Sequence, residues 1–121
     1  MKRFLAGVLT GWLVLALTVV AKNNATEKLV PPQVLVENPK VKMVRWKLQP
    51  GEKTPVHTHS LDHIYVVVEG SKIREYLSDG KVNDDEQETG RAAFSVAKGK
   101  THSFENVGTG PYEMVSIELK P

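Results

Sequence analysis

All four histidines of this 121-residue chain lie in two glycine-flanked segments. His57, His59 and His63 fall within seven consecutive positions, and His102 follows in the second segment. Neutral imidazole is the commonest side-chain ligand of metal ions in proteins. A chain that concentrates its imidazoles in this way is predicted to bind a metal ion.

Backbone parity predicts which of these rings share a face. Side chains alternate along an extended strand, so His57 and His59 point to the same side. Residues 60–62, Ser-Leu-Asp, are typical of a tight turn, so we expect His63 on the next strand, returning across a hairpin. The β-branched and aromatic run at residues 64–68 predicts that strand, and Gly70 ends it.

The spacing of these residues resembles the first motif of the cupin superfamily, G-x5-H-x-H-x3-4-E-x6-G. Gly51, His57, His59 and Gly70 match this motif, whereas His63 stands where cupins usually have glutamate. The first segment therefore resembles a cupin site in which a carboxylate ligand has been exchanged for an imidazole.

The second segment resembles the other cupin motif, G-x5-P-x-G-x2-H-x3-N. Gly99, His102 and Asn106 match it in spacing. Ala97 replaces the proline, and Gly90 lies one residue further upstream than the motif asks. The two motifs together are more specific than either one alone.

The resemblance covers residues 42–121 and implies both a fold and a site. Within the superfamily, W-x-x-x-P-G at residues 46–51 and I-E-L-K at residues 117–120 are similar to short bacterial cupins assigned to β-alanine degradation. The resemblance implies an all-β jelly-roll barrel, or double-stranded β-helix, with a divalent transition metal at the histidine cluster. It also implies a homodimer joined through edge strands. The resemblance places Tyr65 on the strand just beyond the ligands, either as an acid/base group or as a packing residue whose hydroxyl is hydrogen-bonded.

Four imidazoles would form a neutral, nitrogen-only donor set. A site of three histidines and one glutamate offsets one unit of the ion's charge, whereas this set offsets none. The cation would therefore be a stronger Lewis acid and would favour small anionic ligands such as carboxylates or enolates. Imidazole suits iron, zinc, copper and nickel, and it disfavours manganese. Alternatively, His63 turns aside and leaves a three-histidine site, in which Asp62 accepts a hydrogen bond from an imidazole N–H.

Short strands are the elements that must position these residues. Alternating or β-branched patterns predict strands at residues 41–48, 54–59, 72–77, 91–96, 101–106 and 112–119. Asp79-Gly80 is typical of a hairpin loop between two of them. Many short strands separated by Gly, Pro and Asp turns predict a barrel or a sandwich.

Three further expectations concern residues around the site. The acidic run at residues 84–88 is predicted to be a solvated loop. Trp46, Phe94 and Phe104 are expected to fill the core or to line the mouth of a cavity. Residues 34–36, which follow a Pro-Pro pair, predict an edge strand.

The amino-terminal residues 1–21 have the pattern of a signal peptide or a membrane anchor. A basic Met-Lys-Arg leader precedes an apolar run at residues 4–20, and we expect cleavage after Ala21. The run is also close to the length that spans a bilayer, so an uncleaved anchor is the alternative. Either way we expect the folded part to be exported, to the periplasm or beyond, with residues 22–40 as an extended lead-in and residues 41–121 as the barrel.

Composition excludes several classes of function. The chain has no cysteine, so thiolate is neither a ligand nor a nucleophile and disulfides do not hold the fold. Its net charge is +2 with both signs spread along the sequence, which lacks the clustered basic residues of a nucleic-acid-binding protein. A 40% hydrophobic content is typical of a single globular domain.

Three functional hypotheses follow. The chain could be a metal-dependent oxygenase, or a lyase or isomerase, acting on a small anionic substrate, in which case His57→Ala would abolish activity. It could instead be a barrel that binds a small molecule or a metal without turnover. Finally, it could be a structural or interaction module whose metal only stabilises a small domain.

Overall fold

The computed structural model describes residues 27–121, and all the regular elements in this part of the chain are strands. They are β1 Lys28–Leu29, β2 Gln33–Glu37, β3 Val41–Leu48, β4 Glu52–Lys53, β5 His57–His59, β6 His63–Glu69, β7 Ser71–Leu77, β8 Val82–Gln87, β9 Ala92–Ser95, β10 Lys100–Asn106 and β11 Tyr112–Leu119. The predicted signal peptide or anchor at residues 1–21 lies outside the described residues. From Glu27 onward, the protein contains no helix that is long and apolar enough to cross a membrane.

Two sheets form the jelly-roll barrel, which confirms the predicted fold class. Sheet A has the strand order β1-β4-β10-β7-β8, and β5 pairs with β10 beside β4. Sheet B has the order β2-β3-β11-β6-β9. Every pairing is antiparallel except that of β1 with β4. The longest strands, β3 and β11, lie side by side in sheet B over their full lengths.

The apolar core comes from the inward faces of these strands. Val44, Trp46 and Leu48 are buried, as the alternation of β3 predicts. They pack with four buried residues from β6, β7 and β11, namely Val67, Ile73, Tyr112 and Met114. A core of seven residues is small, so buried polar contacts must contribute to holding the two sheets together.

Asn106 supplies the most extensive of these polar contacts and is fully buried. Its Nδ2 donates to the carbonyl oxygens of Leu48 and Gly110, both at 2.9 Å. Its Oδ1 accepts from Ser71 Oγ at 2.8 Å and from the Gly108 amide at 3.0 Å. All four hydrogen-bonding positions of the side chain are used, so Asn106 joins the end of β10 to β3, β7 and the loop before β11.

The predicted hairpin between His59 and His63 is wrong. β5 pairs with β10 in sheet A, whereas β6 pairs with β11 and β9 in sheet B. The Ser60–Leu61–Asp62 segment therefore carries the chain from one sheet to the other. The chain bends at Leu61 but does not form a hairpin turn, because strand pairing depends on distant strands and residues 60–62 do not encode it.

The acidic run is a strand and not the loop that its composition predicted. β8, Val82–Gln87, pairs with β7 at the edge of sheet A. Asp84 lies opposite Arg74 and accepts from its Nε at 2.7 Å, while Asp85 accepts from Arg91 Nη1 at 2.6 Å. An edge strand needs one partner only and tolerates charged side chains in water. The composition therefore indicated exposure correctly but did not indicate a loop.

The described part of the predicted lead-in contributes strands to both sheets. β2 forms one edge of sheet B, as predicted for residues 34–36, and β1 forms one edge of sheet A beside β4. Lys53 Nζ, which contacts Glu27 Oε1 at 3.5 Å, adds a weak ion pair on this side. The lead-in thus completes the barrel and does not merely precede it.

Candidate metal centre

Three imidazole rings converge where β5 lies against β10. His102 is directly opposite His57 in the register, and His59 is opposite Lys100. The ring centroids are 4.6 Å apart for His57 and His102, 4.9 Å for His57 and His59, and 4.8 Å for His59 and His102. One nitrogen from each ring lies within 4.8 Å of one nitrogen from the other two. This grouping confirms the parity argument for β5, and it places His102 in the same cluster.

The outer nitrogens of two rings are fixed by hydrogen bonds to acceptors. His57 Nδ1 lies 2.9 Å from the Pro55 carbonyl oxygen, and His102 Nδ1 lies 2.7 Å from Glu75 Oε2. A carbonyl or carboxylate oxygen can only accept, so each Nδ1 carries a proton and each Nε2 presents a lone pair. Such bonds set the tautomer of metal-binding histidines and raise the basicity of the other nitrogen.

Three inward nitrogens show why these rings suit a cation. His57 Nε2 is buried and has no hydrogen-bond partner among residues 27–121. His59 Nε2 and His102 Nε2 are 2.8 Å apart, so two lone pairs cannot face each other there unless a proton or a cation lies between them. A buried acceptor without a partner is costly, and metal ligation satisfies it. The donor set therefore fits a metal ion.

Electrostatics keep these rings neutral. Burial, reinforced by the neighbouring His63, His102 and His57, lowers the pKa of His59 to about 3. Burial also lowers the pKa of His102, although the hydrogen bond to Glu75 opposes that effect. Only a neutral imidazole can donate a lone pair to a metal. The two rings are therefore in the ligand form at neutral pH before any ion arrives.

His63 lies beside the three rings and not among the grouped nitrogens. It is buried on β6 and its ring stacks on His59, with centroids 4.4 Å apart and an interplanar angle of 20°. Its Nδ1 is 3.5 Å from the Leu61 carbonyl oxygen, which is a long contact. The geometry groups three of the four predicted ligands; direct ligation by His63 stays a prediction.

Glu75 is the residue of this site that the sequence motifs did not reveal. Its carboxylate accepts from His102 and pairs with Lys100 Nζ at 2.9 Å. Burial alone would raise the pKa of Glu75, but the hydrogen bonds from Lys100 and His102 outweigh it and leave that pKa below its ordinary value. The one available signal was its place on β7, where an acidic residue shares the inward face with Ile73 and Leu77.

The role expected of Asp62 is filled by Glu75 instead. Asp62 Oδ1 accepts from the Ala97 amide at 2.7 Å, so it fastens the loop before β10 to the turn before β6. Asp62 lies in the segment that carries the chain from sheet A to sheet B, and its carboxylate contacts the loop before β10. The expected hydrogen bond to a ring N–H exists, but it comes from a strand that neighbours β10.

The histidines line a cavity of about 390 Å³ inside the barrel. Trp46, Phe104 and Met114 form much of its apolar wall, and Tyr65 belongs to the same wall. Tyr65 is half-buried on β6, so its side chain can contact a ligand in this cavity. Its acid/base role stays a prediction. A cavity of this size accommodates a small metabolite.

A second, smaller cavity of about 210 Å³ reaches the cluster from another side. His57 and His59 line both cavities. The second one continues past Pro32 and Lys42 toward Glu118. His57 and His59 therefore border both cavities.

Two of the three aromatic residues occupy the places expected of them. Trp46 stacks on His57 with centroids 5.1 Å apart, and Phe104 meets the edge of His102 at 4.4 Å. The expectation for Phe94 is wrong, because its side chain is 57% exposed. Phe94 occupies an outward position of β9, the last strand of sheet B.

Comparison with protein families identifies this arrangement. Residues 44–118 match the family model described as "Cupin domain". The chain belongs to the cupin family. No curated protein sequence matches this cupin. The narrower resemblance to cupins of β-alanine degradation stays a prediction.

Solved cupin structures share the fold. A cupin domain from Bordetella pertussis Tohama I is 23% identical over 81% of this chain and 100% of that chain, with a TM-score of 0.73. An RmlC-like cupin with a double-stranded β-helix fold, from Methanocaldococcus jannaschii, is 15% identical over 80% and 84% of the two chains, with a TM-score of 0.61. A double-stranded β-helix protein from Klebsiella pneumoniae is 23% identical over 74% and 76%, with a TM-score of 0.59. These similarities support the cupin architecture.

Two glycines of the cupin motifs have clear physical reasons. Gly99 has φ +64°, which lets the loop before β10 turn so that His102 faces inward. At Gly70 a Cβ would lie against the Gln87 carbonyl oxygen and 2.6 Å from the Thr89 amide nitrogen. That close approach lets β8 lie against β7, which carries Glu75.

Proposed function

We propose that this cupin binds one divalent transition-metal ion through His57, His59 and His102, and that it acts on a small anionic substrate in the adjoining 390 Å³ cavity. The observation that carries the proposal is His57 Nε2. His57 Nε2 is buried and has no hydrogen-bond partner in the described part of the chain. The other ring nitrogen, Nδ1, donates to the Pro55 carbonyl oxygen. A neutral imidazole nitrogen in this situation is best satisfied by a cation shared with its two neighbours.

The donor set favours iron, zinc, copper or nickel. All three proposed ligands are neutral nitrogens, and the chain has no thiolate to offer. When bound, such an ion supplies Lewis-acid chemistry and, if it is iron or copper, dioxygen activation. The chain's own residues orient the imidazoles, exclude water along the Trp46 and Phe104 walls, and offer Tyr65 as a proton carrier at its hydroxyl.

The charge balance of the cavity supports an anionic substrate. Two carboxylates, Glu75 and Asp85, line the cavity, but Lys100 pairs with the first and Arg91 with the second. Each negative charge is therefore already offset by a protein cation. Neutral imidazoles add no negative charge, so the charge of a bound divalent ion would attract an anion such as a carboxylate or an enolate.

Metal analysis of the purified protein, without added metal or chelator, tests this proposal. We expect about one transition-metal ion per chain, since three ligands hold a single ion. His57→Ala and His102→Ala should lose the ion, whereas His63→Ala should retain it. A folded protein that takes up none of the four metals on titration would refute the proposal.

A second measurement separates an enzyme from a binding barrel. The metal-loaded protein is screened with small carboxylates and enolisable acids, in air and under nitrogen, while the product and the metal spectrum are followed. Turnover that disappears in His57→Ala supports the enzyme. Tight binding that shifts the spectrum without turnover would show that the barrel only captures its ligand.

We also infer that the folded part acts outside the cytoplasm, because of the leader and apolar run at residues 1–21. The histidine site contains no thiol that an oxidising compartment would modify. A fusion of an export-dependent reporter to the carboxyl end is expected to be active in cells. Deletion of residues 2–20 is the matched control and should abolish that activity.

A further inference from the structure

Lys100 is the only residue with a permanently positive side chain among the described residues that line the 390 Å³ cavity. It begins β10, two positions before His102, so both side chains project to the same face of the strand. The register with β5 places Lys100 directly opposite His59. A positive side chain therefore stands next to two of the three proposed metal ligands.

One carboxylate oxygen shows how close this ammonium group lies to the imidazoles. Glu75 Oε2 accepts from Lys100 Nζ at 2.9 Å and from His102 Nδ1 at 2.7 Å. Two donors that share one acceptor oxygen lie about 4–5.5 Å apart at ordinary hydrogen-bond angles. The distance from the ammonium to the ring of His102 is therefore within the length of a small molecule.

The ion pair with Glu75 leaves the ammonium of Lys100 accessible. The Lys100 side chain is 49% exposed, whereas that of Glu75 is 19% exposed. An ammonium group has three donors, so a contact with one carboxylate leaves donor directions for a second anion. A half-exposed ion pair also contributes little to the stability of a fold. The pair alone is therefore a weak structural reason for a lysine at this position.

A positive charge at this position opposes the binding of a metal ion. Burial is the main cause of the lowered pKa of His59 and of His102, and repulsion by Lys100 adds to it at both rings. The same repulsion would act on a bound cation. A neutral side chain would therefore suit a site that served the metal alone. An anion placed between the ammonium and the ion, in contrast, would be attracted by both.

The backbone on either side of Lys100 is held by hydrogen bonds. Before it, the Ala97 amide donates to Asp62 Oδ1 at 2.7 Å. After it, the hydroxyl groups of Thr58 and Thr101 share a hydrogen bond of 2.7 Å across β5 and β10. The side chain of Lys100 therefore starts from a fixed point beside the cavity. Fixing the backbone in advance lowers the entropy that ligand binding must overcome.

We propose that Lys100 binds the carboxylate of the substrate, while a second oxygen of the same molecule, from a hydroxyl or a carbonyl group, binds the metal. This inference rests on the proposed function and narrows its substrate class to short hydroxy acids and oxo acids. Glu75 stays in contact with the ammonium, and the incoming carboxylate accepts from its remaining donors. The apolar wall of Trp46, Phe104 and Met114 accommodates the short carbon chain between the two polar groups.

Three matched probes test whether the ammonium recognises a carboxylate. 3-Hydroxypropionate carries both polar groups, 3-hydroxypropionamide has nearly the same shape without the charge, and propionate lacks the hydroxyl group. Isothermal titration calorimetry measures the binding of each probe to the zinc-loaded protein, purified after expression of the full-length chain. We expect 3-hydroxypropionate to bind about 10-fold more tightly than either of the other probes, because only it makes both contacts.

Substitutions of Lys100 identify the group that makes the carboxylate contact. Lys100→Met removes the charge and should weaken the binding of 3-hydroxypropionate by about 10-fold, while the affinity for the amide stays nearly unchanged. Lys100→Arg keeps the charge and should retain most of the preference for the acid. Lys98→Met is the matched control, because Lys98 is exposed in the same loop and lines neither cavity. It should bind all three probes as the wild type does.

The zinc content of the same samples separates this inference from the proposed function. If Lys100→Met retains zinc and binds 3-hydroxypropionate as tightly as the wild type, the inference is overturned and the metal site stands. Equal weakening of the acid and the amide, or loss of zinc from Lys100→Met, would show that Lys100 acts only through Glu75 and would also overturn it. A zinc-loaded wild type that binds none of the probes would overturn the inference alone. A wild type that takes up no zinc would overturn the proposed function together with the inference.

Discussion

Replacement of Glu75 by glutamine tests how the chain prepares its metal ligands. The carboxylate accepts from His102 Nδ1 at 2.7 Å and is only 19% exposed, while His102 is 5% exposed. The substitution keeps the size of the side chain but removes its charge. In addition, an amide NH₂ can donate to Nδ1, which would move the ring proton to Nε2 and block the nitrogen that faces the cluster.

The expected loss of metal affinity follows from the difference between the energies of a charged and a neutral hydrogen bond. A hydrogen bond to a charged group contributes about 1.5–3 kcal/mol and a neutral one about 0.5–1.5 kcal/mol, so the loss is about 1–2 kcal/mol. That loss corresponds to about 5- to 30-fold weaker metal binding, within the range known for residues that orient metal ligands. Lys100 also loses its partner, but it is 49% exposed, so this ion pair adds less than about 1 kcal/mol.

Competition with a chelator at pH 7.5 measures the zinc dissociation constant of each variant. Glu105→Gln is the matched control, because Glu105 lies on the neighbouring strand β10 and accepts from Tyr76 at 2.6 Å, away from the imidazoles. It should leave zinc binding unchanged. If Glu75→Gln binds zinc as tightly as the wild type, or if Glu105→Gln weakens binding equally, the orienting role of Glu75 is refuted.

Three further results are expected. Burial lowers the pKa of His59 to about 3 from an unfolded value of 6.5. The contribution of neutral His59 to the stability of the metal-free protein should therefore be complete above pH 6.5 and should be lost as the pH falls toward 3. Melting temperatures measure this dependence, and His59→Gln should flatten it. Asn106→Ala should cost about 3–5 kcal/mol in denaturant unfolding, since several buried partners lose their bonds, and Ser71→Ala should cost only about 1 kcal/mol. Gly70→Ala should cost about 2–3 kcal/mol because its Cβ meets backbone atoms, whereas Gly110→Ala, which meets no atom within 4 Å, should change stability by less than about 0.5 kcal/mol.

The grouping of His57, His59 and His102 could be predicted because it needs only local parity and the spacing of two motifs. Glu75 could not be predicted in the same way. Its contact with His102 depends on the pairing of β7 with β10, in which Glu75 lies opposite Phe104. Registers between distant strands are set by the packing of the whole barrel, and no short pattern encodes them.

The two errors of strand assignment have the same physical origin. The segment after His59 has residues typical of a hairpin turn, but the following strand, β6, pairs with β11 and β9 in the other sheet. The acidic β8 has poor strand propensity, yet Arg74 on the paired strand β7 and Arg91, which follows β8 in the chain, compensate for its charge. Propensity describes one segment at a time, whereas pairing depends on the tertiary context.

β6 shows how one strand can serve two surfaces without conflict. His63, Tyr65 and Val67 face the cavity and the core, while Ile64, Val66 and Val68 face outward. Alternate residues of a strand project to opposite sides of the sheet, so a change in one set leaves the other nearly undisturbed. Substitutions on the outward face of β6 can therefore be separated from substitutions in the proposed metal site. Ile64→Lys should therefore leave the binding of one metal ion unchanged in metal analysis, whereas His57→Ala should abolish it. Loss of the ion in a folded Ile64→Lys variant would show that the two faces are coupled through the sheet.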